Sequence, residues 1–312
     1  MSHSKAVRQI SAGIGRVASA GGKQVCVWSE SGALGWDAQA DKYEVTNVLA
    51  HSSGRVLTSG SFGTVCVFDD GGKLLASSTD ERSPPGGLFE LADGRVLVGL
   101  DEYEDVRLVD LETALLDPLE AQGEQSRALE IKQRGDEVAS LGPAAGIVRW
   151  SLASKAFLSR VMGPPGEALG FVGETLAFST TAKGCAIWQT ADGSLVHEIA
   201  IADVRAGSAS ADGKRVAMHC KLGVVVVDVA SGKQERSLDY GPFPRLTKFS
   251  SDGSRLAVVF DKGQASTIAI VDLATGNEAT TWRGSQRVTA LAFLGDALFF
   301  GRADGGVERL AT

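Results

Sequence analysis

The chain has 312 residues with a formal net charge of -7, and 44% of the residues are hydrophobic. This is the composition of a globular protein with a sizeable core. The absence of a basic run argues against nucleic acid as the main partner. The longest apolar stretch, residues 222–227, is too short to cross a bilayer, and no apolar signal segment follows the first residues. We therefore expect a cytoplasmic protein that does not insert into membranes.

In chain order, the predicted elements are short strands that recur in groups of four. The second group is typical, with predicted strands at residues 45–49, 55–59, 64–68 and 73–77. These strands are rich in Val, Leu and Thr, and turns of Gly, Asp and Ser separate them. No stretch carries a convincing apolar period of 3.6 residues, so we expect few helices.

The third strand of each group ends in a large apolar residue, and this ending recurs along the whole chain. The spacings between successive endings are 40, 41, 41, 38, 39, 44 and 39 residues. A four-stranded sheet cannot bury both faces alone, whereas sheets stacked radially in a ring can. The sequence therefore predicts an all-β fold, a single closed β-propeller domain over residues 1–312. It has eight four-stranded blades, with seven as the alternative. The eight endings are Trp28, Phe68, Val109, Trp150, Trp188, Val227, Val271 and Leu310.

The eighth group lacks a fourth strand, because the sequence ends two residues after Leu310. Residues 1–5 provide a short outer strand there in one version of the prediction. In the other version the last blade has three strands.

The repeat resembles the WD-repeat propeller family in a degenerate form. The resemblance rests on residues 58–69, which end in Phe68-Asp69, and on residues 303–310. The Gly-His dipeptide of that family is absent from this sequence. We therefore expect plain apolar packing to contribute more to this fold than the buried His–Asp network of that family. The resemblance implies a scaffold that binds proteins.

A second resemblance is to eight-bladed quinoprotein-type propellers. Residues 271–278 are similar to the repeat of that family, and so are residues 31–36, which end in Trp36. In that family a Trp pins one blade to the next, and Trp36 stands at the matching position. This resemblance supports eight blades rather than quinone chemistry.

The residues that usually carry chemistry do not converge in this sequence. The four histidines lie in different groups without metal-ligand spacing. The sequence contains neither a nucleophile elbow nor a phosphate-binding loop. The four cysteines form no CxxC pair, and we expect them to be buried, reduced thiols. We predict a protein that is not an enzyme and that has no cofactor or metal.

One loop face is the predicted binding surface. In a propeller, the links between blades share this face with the turns between second and third strands, and function on a rigid scaffold concentrates in loops. Residues 80–137 contain 16 acidic and 6 basic residues, whereas the later loops carry arginines. We therefore expect a bipolar face that orients a partner. The alternative, that the acidic loops only maintain solubility, stays open. The predicted partner-binding residues are Phe62, Asp101, Glu102, Tyr103, Glu104, Asp105, Tyr240, Phe243, Arg283 and Arg302.

The function predicted from these patterns is a non-catalytic protein-interaction scaffold whose partners the sequence does not identify. The alternative is a propeller that binds a small ligand, or acts as an enzyme, through a site at its central channel.

Overall fold

The chain folds into β-strands that associate in consecutive order. Within the described residues, the computed structural model contains 31 strands in eight sheets and no helix. Neighbouring strands pair antiparallel, and seven of the sheets have four strands. The prediction of an all-β, eight-bladed propeller is confirmed. Nothing in this part of the chain forms a helix long and apolar enough to span a bilayer. The described ranges are residues 3–79, 85–100, 106–120, 130–142, 146–242 and 244–312.

The chain divides into two compact units. The first unit lies within Met1–Ala128, Trp150–Phe157 and Val288–Ala311. It contains the first, second, third and eighth sheets, whose strands follow in chain order. The first sheet is β1 (Val7–Gly13), β2 (Arg16–Gly21), β3 (Gln24–Ser29) and β4 (Leu34–Gln39). The second is β5 (Val45–Ala50), β6 (Val56–Gly60), β7 (Thr64–Phe68) and β8 (Leu74–Thr79). The third is β9 (Pro85–Glu90), β10 (Val96–Leu100), β11 (Val106–Val109) and β12 (Leu116–Pro118). The eighth is β29 (Val288–Leu294), β30 (Ala297–Arg302) and β31 (Val307–Ala311).

The second unit lies within Leu129–Arg149 and Leu158–Arg287, together with Thr312. It contains the fifth, sixth and seventh sheets and most of the fourth. The fourth sheet is β13 (Glu130–Arg134), β14 (Glu137–Leu141), β15 (Gly146–Ser151) and β16 (Phe157–Met162). The fifth is β17 (Ala168–Val172), β18 (Leu176–Thr181), β19 (Gly184–Gln189) and β20 (Leu195–Ala200). The sixth is β21 (Ala206–Ala209), β22 (Arg215–Cys220), β23 (Gly223–Asp228) and β24 (Lys233–Leu238). The seventh is β25 (Leu246–Phe249), β26 (Arg255–Lys262), β27 (Ala265–Asp272) and β28 (Glu278–Gly284).

The large residues that end the third strands mark β-bulges. The register between third and fourth strands shifts at Trp28, Phe68, Trp188, Val227 and Val271. A bulge increases the local twist of a strand pair. The strand pairs of these five sheets are therefore more strongly twisted at the bulge.

The apolar core lies between successive sheets. One cluster joins the first and second sheets through residues such as Val27 and Val48, and another joins the eighth and first sheets. In the second unit, clusters join the fourth sheet to the fifth, the fifth to the sixth and the sixth to the seventh. Within each unit, neighbouring sheets thus bury apolar faces against each other, as the repeat predicts.

Side chains of one sheet complete the backbone hydrogen bonding of the next. The first strand of each sheet in chain order lies at an edge of that sheet. Some of its N–H groups therefore have no neighbouring strand to donate to. Gln9 Oε1 accepts the Val48 N–H at 2.6 Å, and Ser11 Oγ accepts the Ala50 N–H at 3.1 Å. In the second unit, Glu130 Oε2 accepts the Phe171 N–H at 2.8 Å. These bonds remove the cost of buried, unpaired donors.

Trp36 connects the first sheet to the second through a hydrogen bond and a ring contact, as the quinoprotein-like resemblance implies. Its Nε1 donates to the Asp70 carbonyl oxygen at 2.8 Å. Its ring centroid lies 5.8 Å from that of Phe68. A Cβ atom on Gly72 would lie 2.6 Å from the Trp36 ring, so the close approach requires glycine there.

The described part of the eighth sheet has three strands, and the N-terminal segment contacts it without adding a fourth. The His3 N–H donates to the Gly305 carbonyl oxygen at 2.9 Å. The His3 side chain is buried, with Nε2 at 2.9 Å from Ser19 Oγ. Trp28 Nε1 donates to the same hydroxyl at 2.8 Å. The first sheet therefore combines its apolar core with a buried network of His3, Ser19 and Trp28, because His3 reaches Ser19 from the segment that precedes β1.

Candidate protein-interaction surface

Two exposed aromatic rings in the first unit form the clearest candidate for a binding surface. Phe62 lies in the turn between β6 and β7, and Tyr43 lies in the link between β4 and β5. Their side chains are 50% and 46% exposed. The ring centroids are 4.1 Å apart and the ring planes are inclined by 39°. Lys42 Nζ lies 5.4 Å from the Tyr43 centroid. We call Lys42, Tyr43 and Phe62 the aromatic surface.

Backbone hydrogen bonds hold this surface in place. The Ser61 N–H donates to the Glu44 carbonyl oxygen at 2.9 Å, which ties the turn to the link. The Gly63 N–H donates to the Gly60 carbonyl oxygen and closes the turn. A buried carboxylate, Asp41, accepts the Tyr43 N–H at 2.5 Å. The two rings therefore stand on a fixed backbone rather than on a long loop.

The sequence identified only part of this surface. Phe62 is a predicted partner-binding residue, but Tyr43 and Lys42 are not among the predicted residues. The feature of the sequence that could have identified Tyr43 was its position. Tyr43 lies in a link between sheets, on the face that the turns between second and third strands share.

Tyr240, another predicted partner-binding residue, lies in the second unit and is half-buried. Its ring stacks on Phe260 with centroids 5.0 Å apart. Burial, together with the nearby Glu278 carboxylate, raises the pKa of the Tyr240 hydroxyl above its ordinary value. Much of this side chain packs against the core of its unit, so less of it is available to a partner than of Phe62.

The two arginines among the predicted partner-binding residues differ in their ion pairs. Arg302 forms ion pairs with Asp304 and Glu308 of its own sheet. Arg283 lies exposed on β28, and no described carboxylate forms an ion pair with it. Arg302 thus has most of its charge balanced locally, whereas Arg283 presents its charge to solvent.

Six of the predicted partner-binding residues lie outside the described residues, so their predicted role stays a prediction. They are Asp101, Glu102, Tyr103, Glu104, Asp105 and Phe243.

Three of the four thiols are poor nucleophiles. All four cysteines are free and buried, which confirms the sequence prediction. Burial raises the pKa of Cys66 to about 11 and the pKa values of Cys26 and Cys185 to about 12. Since the thiolate is the reactive form, these groups react slowly near neutral pH.

The described histidines serve packing and hydrogen bonding. His51 Nε2 lies 2.7 Å from the Gly94 carbonyl oxygen, and His219 Nε2 lies 2.8 Å from Thr247 Oγ1. Burial lowers the pKa of His219 to about 4. Among the described residues, no group of three or more His, Cys, Asp or Glu side chains is placed to hold a metal ion.

Eight sheets of this topology define a β-propeller, and solved structures of the same fold match the whole chain. The computationally designed Ika8 protein is 21% identical, with a TM-score of 0.79 over 100% of this chain and 98% of that chain. Sqt1 of Saccharomyces cerevisiae is 14% identical, with a TM-score of 0.78 over 99% of this chain and 96% of that chain. The Dos1 propeller is 13% identical, with a TM-score of 0.77 over 99% of this chain and 92% of that chain. At these identities the likeness concerns the fold alone.

A family model resolves the class further. The model PQQ_2, described as outer membrane protein assembly factor BamB, matches residues 125–311, which is more than half of the chain. The chain belongs to this family. No curated protein matches it significantly. The WD-repeat resemblance is not confirmed by these comparisons.

Proposed function

We propose that the protein is a non-catalytic scaffold that binds partner proteins through the loop face that carries the aromatic surface. The observation that carries the proposal is the contact between Tyr43 and Phe62, two half-exposed rings on a fixed backbone. Exposed aromatic side chains are typical anchors of protein interfaces. Because their backbone is already ordered, binding costs little conformational entropy.

Membership of this family supports a role in handling other proteins, because the family is that of an outer membrane protein assembly factor. A binding scaffold is also the role that the WD-repeat resemblance implies. A cytoplasmic location stays an expectation from the sequence.

The chemistry of the aromatic surface suggests the kind of segment that it binds. The two rings offer apolar faces, and Lys42 places a positive charge at their edge. A partner segment that carries an apolar side chain next to a carboxylate matches both features.

The test compares variants against a purified partner. Partners captured from the native cell by affinity purification are identified by mass spectrometry, and the dissociation constant is then measured for each purified candidate. We expect Phe62→Ala and Tyr43→Ala each to weaken binding at least tenfold, which is about 1.4 kcal/mol. Ile14→Ala is the matched control, because Ile14 is an apolar side chain that is 73% exposed in the turn between β1 and β2.

Equal affinities of the wild type, Phe62→Ala and Tyr43→Ala would contradict the proposal. So would an equal loss in Ile14→Ala. Thermal unfolding of each variant shows whether a change in affinity comes from misfolding instead.

A further inference from the structure

A cleft of about 140 Å³ lies between the fourth and fifth sheets, within the second unit. It opens where β13 turns into β14 and where β17 turns into β18, and part of its wall comes from the end of β19. Pockets for drug-sized molecules are larger, at roughly 300–1,000 Å³. The size of the cleft thus suits one functional group rather than a whole cofactor.

The charged groups that line the cleft are out of balance. They are three cations, Lys132, Arg134 and Arg149, and two carboxylates, Glu137 and Glu174, a net charge of +1. Glu130, which pairs with Lys132 just outside this lining, offsets one of these positive charges, so the attraction for an anion comes from the two guanidinium groups.

Two of the cations already have carboxylate neighbours, whereas one has none. Lys132 Nζ lies 3.2 Å from Glu130 Oε1, and Arg149 Nε lies 3.3 Å from Glu137 Oε1. No described carboxylate forms an ion pair with Arg134, which is exposed at the end of β13. Arg134 is therefore the cation most available to an incoming anion.

Arg149 is held in place by contacts that use only part of its N–H donors. Its Nη2 donates to the Thr190 carbonyl oxygen at 2.5 Å. The Thr190 N–H and Oγ1 both donate to the Thr175 carbonyl oxygen, at 2.9 and 3.0 Å, so the acceptor itself is fixed. Arg149 Nε is buried and has no hydrogen-bond acceptor in good geometry among the described residues. A guanidinium carries five N–H donors, more than these contacts use.

We propose that this cleft binds a single carboxylate group, with Arg134 and Arg149 as its cationic partners. Two guanidinium groups on a fixed backbone match the planar geometry of a carboxylate and can each donate two hydrogen bonds to it. The carboxylate belongs either to a small organic acid or to the side chain or C-terminus of a polypeptide. This proposal does not depend on the aromatic surface, which lies in the first unit.

The test follows the Nε–Hε signals of the arginines by nuclear magnetic resonance during titration with sodium acetate, with sodium chloride at equal ionic strength as the reference. We expect a saturable shift of the Arg134 and Arg149 signals and no shift of Arg215, whose guanidinium both Glu235 oxygens already engage. Arg134→Gln should weaken acetate binding at least fivefold. Lys183→Gln, which removes an exposed cation of the fifth sheet, should leave acetate binding unchanged.

A second titration identifies the source of the carboxylate. The probe is a hexapeptide with blocked ends and one glutamate. Binding at least tenfold tighter than acetate indicates a polypeptide, and equal binding indicates a small acid. The proposal is overturned if acetate gives no saturable shift, if chloride gives the same shift, or if Lys183→Gln weakens binding as much as Arg134→Gln.

Discussion

Two serines at matching positions of the repeat should respond very differently to removal of their hydroxyl groups. The 160-residue offset that relates Ser19 to Ser179 also relates Trp28 to Trp188. Ser19 Oγ lies 2.9 Å from His3 Nε2 and accepts the Trp28 N–H at 2.8 Å. Ser179 Oγ and Trp188 Nε1 are equally buried, yet neither has a hydrogen-bond partner among the described residues.

The difference originates at the position that matches His3. The same offset places Gly163 there, and a Cβ atom on Gly163 would lie 2.7 Å from the Trp188 ring. The tryptophan ring therefore lies where a histidine would stand, and the fifth sheet lacks the side chain that completes the network in the first.

The magnitudes follow from the number of groups left unpaired. Ser19→Ala leaves two buried polar groups without their partner, at about 1–3 kcal/mol each, so we expect a loss of about 2–6 kcal/mol. Ser179→Ala removes a hydroxyl that makes no hydrogen bond to the described protein. We expect its free energy of unfolding to stay within about 0.5 kcal/mol of the wild type, or to rise.

The assay is equilibrium unfolding in urea, followed by far-ultraviolet circular dichroism so that the readout does not depend on either tryptophan. A loss in Ser179→Ala as large as that in Ser19→Ala would refute the reasoning. The double variant provides a further check, because the hydrogen-bond partners of Ser19 do not include Ser179 or Trp188 and the two effects should add.

Two further predictions concern backbone conformation and pH. Gly72→Ala should destabilise the fold by about 2–4 kcal/mol, because φ is +85° and the new Cβ atom would meet the Trp36 ring. Gly15→Ala, with φ at +67° and open space around it, should cost only about 1 kcal/mol, and equal losses in urea unfolding would contradict the contact with Trp36. Burial lowers the pKa of His219 to about 4 from an unfolded value of 6.5, so the unfolded chain binds the proton first as the pH falls. The free energy of unfolding should therefore drop by roughly 2–3 kcal/mol between pH 7 and pH 4.5. His219→Gln should lose much less over the same interval, and an identical pH profile would count against this origin of the loss.

The sequence carried most of the information about the fold. The spacing of the large endings such as Trp28 and Phe68 predicted eight sheets, and five of these endings mark the same bulge between third and fourth strands. The role of Trp36 was also predictable, since a ring at that position reaches the next turn between third and fourth strands. That all eight sheets close into one ring stays a prediction.

The candidate sites were harder to predict because they depend on residues that are distant in the sequence. Phe62 was predicted from its turn, but Tyr43 becomes its partner only when the link between sheets folds beside that turn. His3 looked like part of a tail, since no sequence pattern reveals that it reaches a hydroxyl on β2. The cleft likewise combines side chains from β13, β15 and β19, none of which forms a motif alone.

The hydrogen bonds between Gln9 and Val48 and between Ser11 and Ala50 limit how freely modules of this repeat can be exchanged. A sheet placed beside a neighbour without matching acceptors would leave these N–H groups unpaired. A module moved to a new place in the chain would therefore need a suitable acceptor at each of its junctions.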